Sequence, residues 1–359
     1  MSEIVIVLGS NTHFAPYYYK YEKMLIERRI PFDLIIWDRE RSNETTKANN
    51  IIRFTLKDKG NNGNFLKIYK FFAFSRFVQK VIKARKYKKI IFLGLSGCAP
   101  TLGVHFYAQF YKNACWLDIR DHQYEWFKPY FKMEEKLIKS TFCTVISSRG
   151  FVSFLPKWDY TMVHNVDANM DAIVKNIVRQ AEDKIRISFI GHVRYYSENI
   201  AFINSLANDD RFLIQYYGPG SDDLQRYCTK YKINNVVFEN RRFDFKDTIF
   251  FYSKTDMINN IYGNARIETR TALSNKLYYS IYLQMPIIVS PNTYMEKVTS
   301  KYGFGISFNS SSNFADELYS FYYSVCLKKR DSLYAEAKKM VEEDECLFLR
   351  KFNAFLKEN

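Results

Sequence analysis

The stretch "SNKLYYSIYLQMPIIVS", residues 274–290, predicts one helix that leads directly into one strand. Ser274 is a residue type favoured at helix N-caps, and the apolar residues after it recur at helical spacing. "MPIIVS", residues 285–290, is an uninterrupted apolar run, which is typical of a parallel strand covered on both faces. The stretch therefore indicates an α/β sheet.

Similar apolar runs recur through the whole chain, with helix-length segments between them. In the first half they are "IVIVL" (4–8), "FDLIIW" (32–37), "KIIFLGL" (89–95), "CWLDI" (115–119) and "CTVIS" (143–147). In the second half they are "IRISFIG" (185–191), "FLIQYYG" (212–218), "NVVFE" (235–239), "DMINNIY" (256–262), "MPIIVS" and "GISF" (305–308).

This rhythm predicts an α/β fold with two Rossmann-like domains that face each other across a cleft. We place the domains at residues 1–166 and 167–359. The last amphipathic segment, residues 331–356, either closes the second domain or packs back on the first.

Composition limits the partners and the compartment. The 53 Lys and Arg exceed the 38 Asp and Glu, and the net charge of +15 predicts attraction to nucleic acid, an acidic membrane or phosphorylated metabolites. The six cysteines form no CxxC pair, and no His cluster has ligand spacing, which argues against a zinc site and a disulfide framework. We expect a cytoplasmic protein with no signal peptide and no membrane span.

Ligands of open α/β sheets bind outside the carboxyl ends of the strands. Gly191 ends one predicted strand there, and Arg194 begins the next helix. Lys276 lies in the first turn of the helix that Ser274 caps. Because helix N-termini bind phosphate and a nearby cation adds charge-assisted hydrogen bonds, Arg194 and Lys276 are candidates to hold one diphosphate. The alternative is that each is a solvated surface cation.

The order of these motifs resembles family 4 glycosyltransferases with the GT-B fold, of the bacterial surface polysaccharide type. The second half carries "FIGHVRYYSENIAFI", "FLIQYYGPGSD", "SNKLYYSIYLQMPIIVS" and "KYGFGISF" in the order of that family's C-terminal domain. "CWLDIRDHQYE", "TFCTVISSRGFVSFL" and "YTMVHNVD" resemble its N-terminal domain. The resemblance spans nearly the whole chain.

The resemblance implies transfer of a sugar from a nucleotide-sugar donor, bound by the second domain, to a glycan or polyprenyl-linked glycan acceptor, bound by the first. It implies a retaining reaction in capsule, O-antigen or exopolysaccharide assembly. We expect no cofactor and no metal, and the absence of any D-x-D motif agrees. The donor-binding residues that it implies are Gly9, Ser10, Gly191, Arg194, Gly218, Ser274, Asn275, Lys276 and Tyr279.

Three positions depart from the family pattern. Thr271 and Tyr279 stand where the family has paired glutamates, and the second of those glutamates holds the ribose hydroxyls. Glu198 lies near the position of an expected lysine. These departures put the nucleotide and the donor sugar in doubt.

Asp121 and His122, in "DIRDHQYE", follow a predicted strand end and are the candidate catalytic residues. Either one can bind acceptor hydroxyls or accept a proton there. The alternative is structural: Asp118 caps a helix, Arg120 pairs with a carboxylate, and His122 is polar surface.

Residues 65–89 hold nine Lys and Arg and no acid, interleaved with aromatic residues. The pattern predicts peripheral attachment to an anionic membrane surface, with several basic and at least two aromatic side chains exposed. The alternative is an ordinary helix packed on the sheet with its charges in water.

Two other functions compete with the transferase. One is a non-catalytic partner that kept the fold and lost donor binding, motivated by Thr271 and Tyr279. The other is nucleic-acid binding, motivated by the net charge, but no nucleic-acid-binding motif is present, so we expect no nucleic-acid partner.

Overall fold

A computed structural model describes residues 2–41, 43–56, 64–94, 113–178, 183–243, 245–323 and 330–357. The chain divides into two compact units. The first comprises Met1–His164 together with Glu343–Asn359, and the second comprises Asn165–Glu342.

The first unit is built on a parallel sheet of seven strands in the order β3-β2-β1-β4-β5-β6-β7. The strands are β1 (Ile4–Leu8), β2 (Phe32–Trp37), β3 (Ile51–Phe54), β4 (Lys89–Leu93), β5 (Cys115–Ile119), β6 (Cys143–Ile146) and β7 (Thr161–Met162). Every residue of β1, β2, β4, β5 and β6 is buried, as expected for a sheet covered on both faces.

The second unit repeats the plan with a parallel sheet of six strands in the order β10-β9-β8-β11-β12-β13. The strands are β8 (Ile185–Ile190), β9 (Phe212–Tyr217), β10 (Val236–Glu239), β11 (Met257–Asn260), β12 (Ile287–Val289) and β13 (Gly305–Ser307). In each sheet the strand order reverses beside the unit's first strand, and such a switch point is where doubly wound sheets bind ligands. The predicted α/β class with two Rossmann-like units is confirmed.

The helices cover the sheets. They are α1 (Tyr18–Glu27), α2 (Asn64–Arg85), α3 (Lys128–Ser140), α4 (Met170–Asn176), α5 (Tyr196–Ser205), α6 (Asp222–Tyr231), α7 (Phe245–Ser253), α8 (Ile267–Thr271), α9 (Asn275–Leu283), α10 (Tyr294–Tyr302), α11 (Phe314–Ser320) and α12 (Arg330–Lys357).

The end of α12 belongs to the core of the first unit. Phe348, Phe352 and Phe355 are fully buried there, at a spacing that puts them on one helix face. Their rings lie 5.1–5.7 Å from the Trp116 ring of β5.

Tight turns at the carboxyl ends of β8 and β9 bring two glycines together. Gly191 and Gly218 have φ values of +135° and +125°, which favour glycine. A Cβ on Gly218 would lie 2.3 Å from the carbonyl oxygen of Gly191, whereas a Cβ on Gly191 would meet open space. The backbone at Gly191 is therefore open to close approach by a ligand.

Candidate functional site

The switch point of the second sheet lies between β8 and β11. The segment after β8 carries Gly191 and Arg194, and the segment after β11 carries Tyr262 and leads to α9. Because all six strands are parallel, these segments leave the sheet at the same edge.

The helix α9 has a side-chain cap and no acid in its first turn. Ser274 adopts an extended conformation, and its hydroxyl accepts a hydrogen bond of 3.3 Å from the backbone N–H of Lys276. Asn275, the first helical residue, is exposed. The remaining N–H groups of the first turn give this end of the helix a partial positive charge.

Lys276 is buried at this helix start, with a relative exposure of 5%. Its Nζ donates a hydrogen bond of 2.9 Å to the hydroxyl of Tyr262 and lies 3.4 Å from the centre of the Phe189 ring. Burial lowers the pKa of Lys276 well below its ordinary value. Among the described residues no carboxylate forms an ion pair with it. An ammonium group without a carboxylate partner is disfavoured in such a buried place.

Tyr262 interacts with Lys276, Ser274 and Arg194. Burial raises the pKa of Tyr262 to about 12, while a hydrogen bond with Ser274 and the charge of Arg194 act in the opposite direction. Its hydroxyl therefore stays protonated near neutral pH. Arg194 itself is exposed, and the next residue, Tyr195, has a left-handed backbone with φ of +58°. Strained backbone of this kind is concentrated at functional sites.

The three positions that depart from the family pattern each contact another residue of the second unit. The hydroxyl of Thr271 donates to the carbonyl oxygen of Ile267 in its own helix, α8, at 2.7 Å. The hydroxyl of Tyr279 donates to the carboxylate of Asp167 at 2.7 Å. Glu198, near the position of the expected lysine, packs against Gly263.

The turn after β1 carries Gly9 and Ser10 in the first unit. The carbonyl oxygen of Gly9 accepts a hydrogen bond of 3.1 Å from Arg39, and the hydroxyl of Ser10 donates to the carbonyl oxygen of Asn11. Gly9 does not have positive φ, so a strained turn does not account for this glycine. Its predicted role near the donor stays a prediction.

The structural alternative for "DIRDHQYE" is only partly right. Arg120 does pair with a carboxylate, that of Asp118, at 2.5 Å. Asp118 caps no helix, because it lies within β5 and also accepts a hydrogen bond of 2.7 Å from the hydroxyl of Tyr21.

The side chain of His122 is only 8% exposed, so it is not polar surface. Its Nε2 lies 3.5 Å from the Glu125 carboxylate, and its ring contacts the edge of Phe154. Asp121, the residue before His122, is exposed.

A second buried carboxyl group lies near Glu125. Glu134 of α3 is 3% exposed, and burial together with the charge of Glu125 raises the pKa of Glu134 well above its ordinary value. His122, Glu125 and Glu134 thus form an imidazole and carboxyl cluster after β5. Such a cluster can exchange protons with a bound hydroxyl group.

The basic segment, residues 65–89, forms most of α2 and enters β4. Phe71, Phe74 and Tyr87 are buried, and Tyr69 is the one exposed aromatic side chain among residues 68–89. The expectation of two exposed aromatics is therefore wrong for these residues, since the others pack on the sheet. The exposed basic side chains are Arg76, Lys80, Lys83, Arg85, Lys86 and Lys88.

Two further exposed apolar side chains follow β5. Trp126 and Phe127 are 73% and 51% exposed. Tyr124, just before them, contacts Phe71 of α2 at 6.2 Å between ring centres, so this loop lies beside the start of α2.

Over the part of the chain that the structure describes, no group of three His, Cys, Asp or Glu side chains has the arrangement of a metal site. None of the described helices is both long and apolar enough to cross a bilayer. Cys115, Cys143 and Cys228 are buried free thiols, and Cys346 is an exposed one.

Sequence reasoning missed Tyr262, Asp167 and the role of Glu134 in the cluster after β5. "DMINNIY" predicts the strand before Tyr262, but nothing in it indicates contact with Lys276. The Asp167–Tyr279 hydrogen bond joins residues 112 positions apart, and no short motif carries such a pairing.

The fold is similar to that of solved glycosyltransferases over nearly the whole chain. The glycosyltransferase from Rickettsia africae ESF-5 gives a TM-score of 0.70 at 10% identity and covers 100% of both chains. Anabaena Alr3699/HepE, solved in complex with UDP and glucose, gives 0.66 at 11% identity over 100% of both chains. WaaG, a glycosyltransferase involved in lipopolysaccharide biosynthesis, gives 0.62 at 11% identity over 93% of this chain and 95% of WaaG.

No family model and no curated protein matches the sequence. The predicted GT-B fold is confirmed by the solved structures. At these identities the likeness shows the fold alone.

Proposed function

We propose that the protein is a glycosyltransferase that moves a sugar from a nucleotide-sugar donor to a glycan or lipid-linked glycan acceptor. The observation that carries the proposal is Lys276, a buried lysine with no carboxylate partner among the described residues, at the start of a capped helix. Its location beside the switch point suits a diphosphate, which would neutralise both the lysine and the helix end.

In this mechanism the leaving nucleoside diphosphate is stabilised by the first turn of α9, by Lys276 and by Arg194. Charge develops on the leaving phosphate in the transition state, and fixed donors there lower the barrier. The Tyr262 hydroxyl holds the Lys276 ammonium group in place. Gly191 and Gly218 keep the backbone beside this position open.

Asp121 and the His122 cluster are proposed to act on the acceptor. The imidazole of His122, oriented by Glu125, would bind or deprotonate the attacking hydroxyl group. We propose retention of anomeric configuration, in which case these groups orient the acceptor and no strong base is required.

Transfer assays and nucleotide binding test the proposal. A thermal-shift screen against UDP-, GDP-, CMP- and dTDP-sugars should raise the melting temperature with at least one donor, since ligands of the folded state stabilise it. If none binds, the donor assignment is wrong. Binding without transfer to any glycan acceptor would favour a non-catalytic partner instead.

The proposed reaction needs no metal ion. Helix dipoles and cations would replace the divalent ion that other transferases use on the diphosphate. The enzyme should keep its rate in EDTA. Loss of activity in EDTA that Mn²⁺ or Mg²⁺ restores would contradict this part of the proposal.

We also propose that the first unit binds the inner face of the cell membrane, where capsule, O-antigen or exopolysaccharide is assembled on a polyprenyl-linked acceptor. The exposed basic face of α2 supplies attraction, at about 1 kcal/mol for each Lys or Arg near an anionic surface. The exposed Tyr69, Trp126 and Phe127 supply the apolar contact.

Vesicle co-sedimentation tests the membrane contact. Binding should require acidic lipid, weaken with salt, and fall when Lys80, Lys83, Arg85 and Lys86 are changed to Glu. Changing Lys230 and Lys232, at the end of α6, to Glu is the control. Equal binding to neutral vesicles would rule out the membrane proposal and leave the transferase proposal intact.

A further inference from the structure

The strand β10 forms one edge of the second sheet and pairs with β9 alone among the described strands. The carbonyl oxygens of Asn235 and Glu239 accept hydrogen bonds from the backbone of β9 and of the turn after it. Because backbone groups alternate in direction along a strand, those of Val236 and Phe238 point away from β9. These N–H and C=O groups are placed to pair with another strand.

β10 lacks the features that usually protect an edge strand, which are a Lys or Pro, a bulge, or very short length. Of the four edge strands in the described sheets, β3 contains Arg53, and β7 and β13 have only two and three residues. β10 has four residues, and the side chain of Val237 within it is 46% exposed. Its one charged residue, Glu239, is the last and pairs with Arg241 at 2.7 Å.

The helix α6 lies beside this edge and carries opposite charges at its two ends. A groove of about 460 Å³ between them is lined on the helix side by Gln225 and Thr229 and on the strand side by Val236 and Phe238. Asp222, in the first turn of α6, accepts a hydrogen bond of 2.5 Å from Asn240 and so lies at the carboxyl end of β10. Lys232, the C-cap of α6, precedes the amino end of β10. Both charged side chains are exposed.

We propose that β10 pairs with β10 of a second copy of this chain, antiparallel about a two-fold axis at Val237. In this register Val236 of each copy lies opposite Phe238 of the other, and their outward backbone groups exchange hydrogen bonds in both directions. The two six-stranded sheets become one continuous sheet. Because the contact is the same on both copies, the assembly closes at two.

The charges of α6 favour a second copy over an acidic membrane or a basic peptide. The two-fold axis places the two α6 helices antiparallel on the same face of the joined sheet. Asp222 of each copy then lies beside Lys232 of the other, and the acidic start of each helix lies beside the basic end of its neighbour. The edge is thus complementary to itself in charge as well as in hydrogen bonding.

Analytical ultracentrifugation of the full chain over a range of concentrations tests the proposal. The mass should rise from 42.7 kDa to twice that value and stop there. Val237→Lys should weaken association at least about tenfold, because two ammonium groups would face each other across the axis. Val174→Lys, at an apolar position of α4 that is 41% exposed, is the matched control and should associate as the wild type does.

Charge reversal tests the arrangement of the two copies. Asp222→Lys and Lys232→Glu should each weaken association, because each brings like charges together at both ends of the interface. An equimolar mixture of the two variants should associate as the wild type does, since the mixed dimer regains opposite charges at both ends. Restoration also shows that each variant is folded. Hydrogen exchange at the amides of Val236 and Phe238 should slow as the dimer forms.

Three results would overturn the proposal. The first is a wild-type mass that stays at 42.7 kDa at every concentration or rises beyond two copies. The second is a dimer that Val237→Lys leaves intact, because another surface would then join the copies. The third is a mixture of the charge variants that associates no better than either variant alone.

Discussion

Two helices of the second unit, α9 and α10, carry side chains of opposite charge in their first turns. Thr293 is the N-cap of α10, and its hydroxyl accepts from the backbone N–H of Glu296. The Glu296 carboxylate in turn accepts from the backbone N–H of Asn292. This reciprocal pattern satisfies the helix start and places a negative charge at its positive end. The helix α9 has the hydroxyl cap of Ser274, but its first turn carries Lys276 and no acid.

The difference indicates what each helix start does. A buried cation at the positive end of a helix lowers stability, because desolvation and the helix dipole both disfavour it. The contrast supports the proposed anion site at the start of α9. The following predictions test that contrast from the largest expected effect to the smallest.

Changing Lys276 to Met should have opposite effects on binding and stability. Loss of a charge-assisted contact should weaken nucleoside diphosphate binding by about 10- to 150-fold, which corresponds to roughly 1.5–3 kcal/mol. Removal of the buried amine should raise the melting temperature by at least about 2 °C. Calorimetry and thermal unfolding measure the two effects.

Lys297→Met, in α10, is the matched control, because Lys297 is exposed and follows an acidic helix start. Lys297→Met should change neither the affinity for nucleoside diphosphate nor the melting temperature. If Lys276→Met binds diphosphate as tightly as the wild type, the assignment of the anion site to α9 is wrong.

Diphosphate affinity should fall as the pH rises. The pKa of Lys276 lies well below 10.5 in the free protein, and a bound diphosphate favours the protonated amine and raises that pKa. Between the two pKa values, binding requires proton uptake, so affinity should fall by up to about tenfold per pH unit. The Lys276→Met protein should lack this dependence, and titrations in buffers of different ionisation enthalpy would count the protons.

Stability should depend on pH through the same lysine. Between its low pKa in the folded state and 10.5, the ordinary value expected in the unfolded chain, the unfolded state binds more protons. The free energy of unfolding should therefore rise with pH in that window, relative to Lys276→Met. If the free energy of unfolding changes with pH in parallel for the wild type and the variant, the pKa of the buried Lys276 amine is not lowered in the folded state.

Removing the two helix caps should separate binding from stability. Thr293→Ala and Ser274→Ala should each lower the free energy of unfolding by about 1 kcal/mol. Only Ser274→Ala should also weaken diphosphate binding, because it alone disturbs the amides around Lys276. Equal binding losses in both variants would point to a general loss of structure.

The smallest effect should come from making α9 resemble α10. Asn275→Asp places an acid in the exposed first turn of α9, where it should stabilise the helix by about 0.3–1 kcal/mol. The same charge should repel a diphosphate and weaken its binding by about two- to fivefold. Tighter binding in this variant would contradict the anion-site assignment.

Most of the fold could be predicted because buried parallel strands leave strong local signals. All six strands of the second sheet correspond to predicted apolar runs, "NVVFE" and "GISF" included. The sequence analysis missed β3 and β7 of the first sheet. Both are edge strands. β3 has only four residues, all half-buried, and β7 has only two, so neither contains a long apolar run.

The site was less predictable, because it depends on distant pairs and on burial. The N-cap role of Ser274 followed from its residue type, and the structure confirms that its hydroxyl accepts from Lys276. The burial of Lys276 could not be predicted, since a lysine in the first turn of a helix is usually exposed to solvent. Phe189 of β8 and Tyr262, which follows β11, pack against Lys276 and are distant from it in the sequence.

The C-terminal end of α12 also affects the order in which the protein matures. During synthesis most of the first unit leaves the ribosome early, but Phe348, Phe352 and Phe355, which cover Trp116, emerge only after the whole second unit. Until then, that apolar face of the sheet has no cover from α12 and is exposed to self-association or to chaperones. The second unit, Asn165–Glu342, is complete in the chain before these residues emerge, so we expect the first unit to reach its native state after the second.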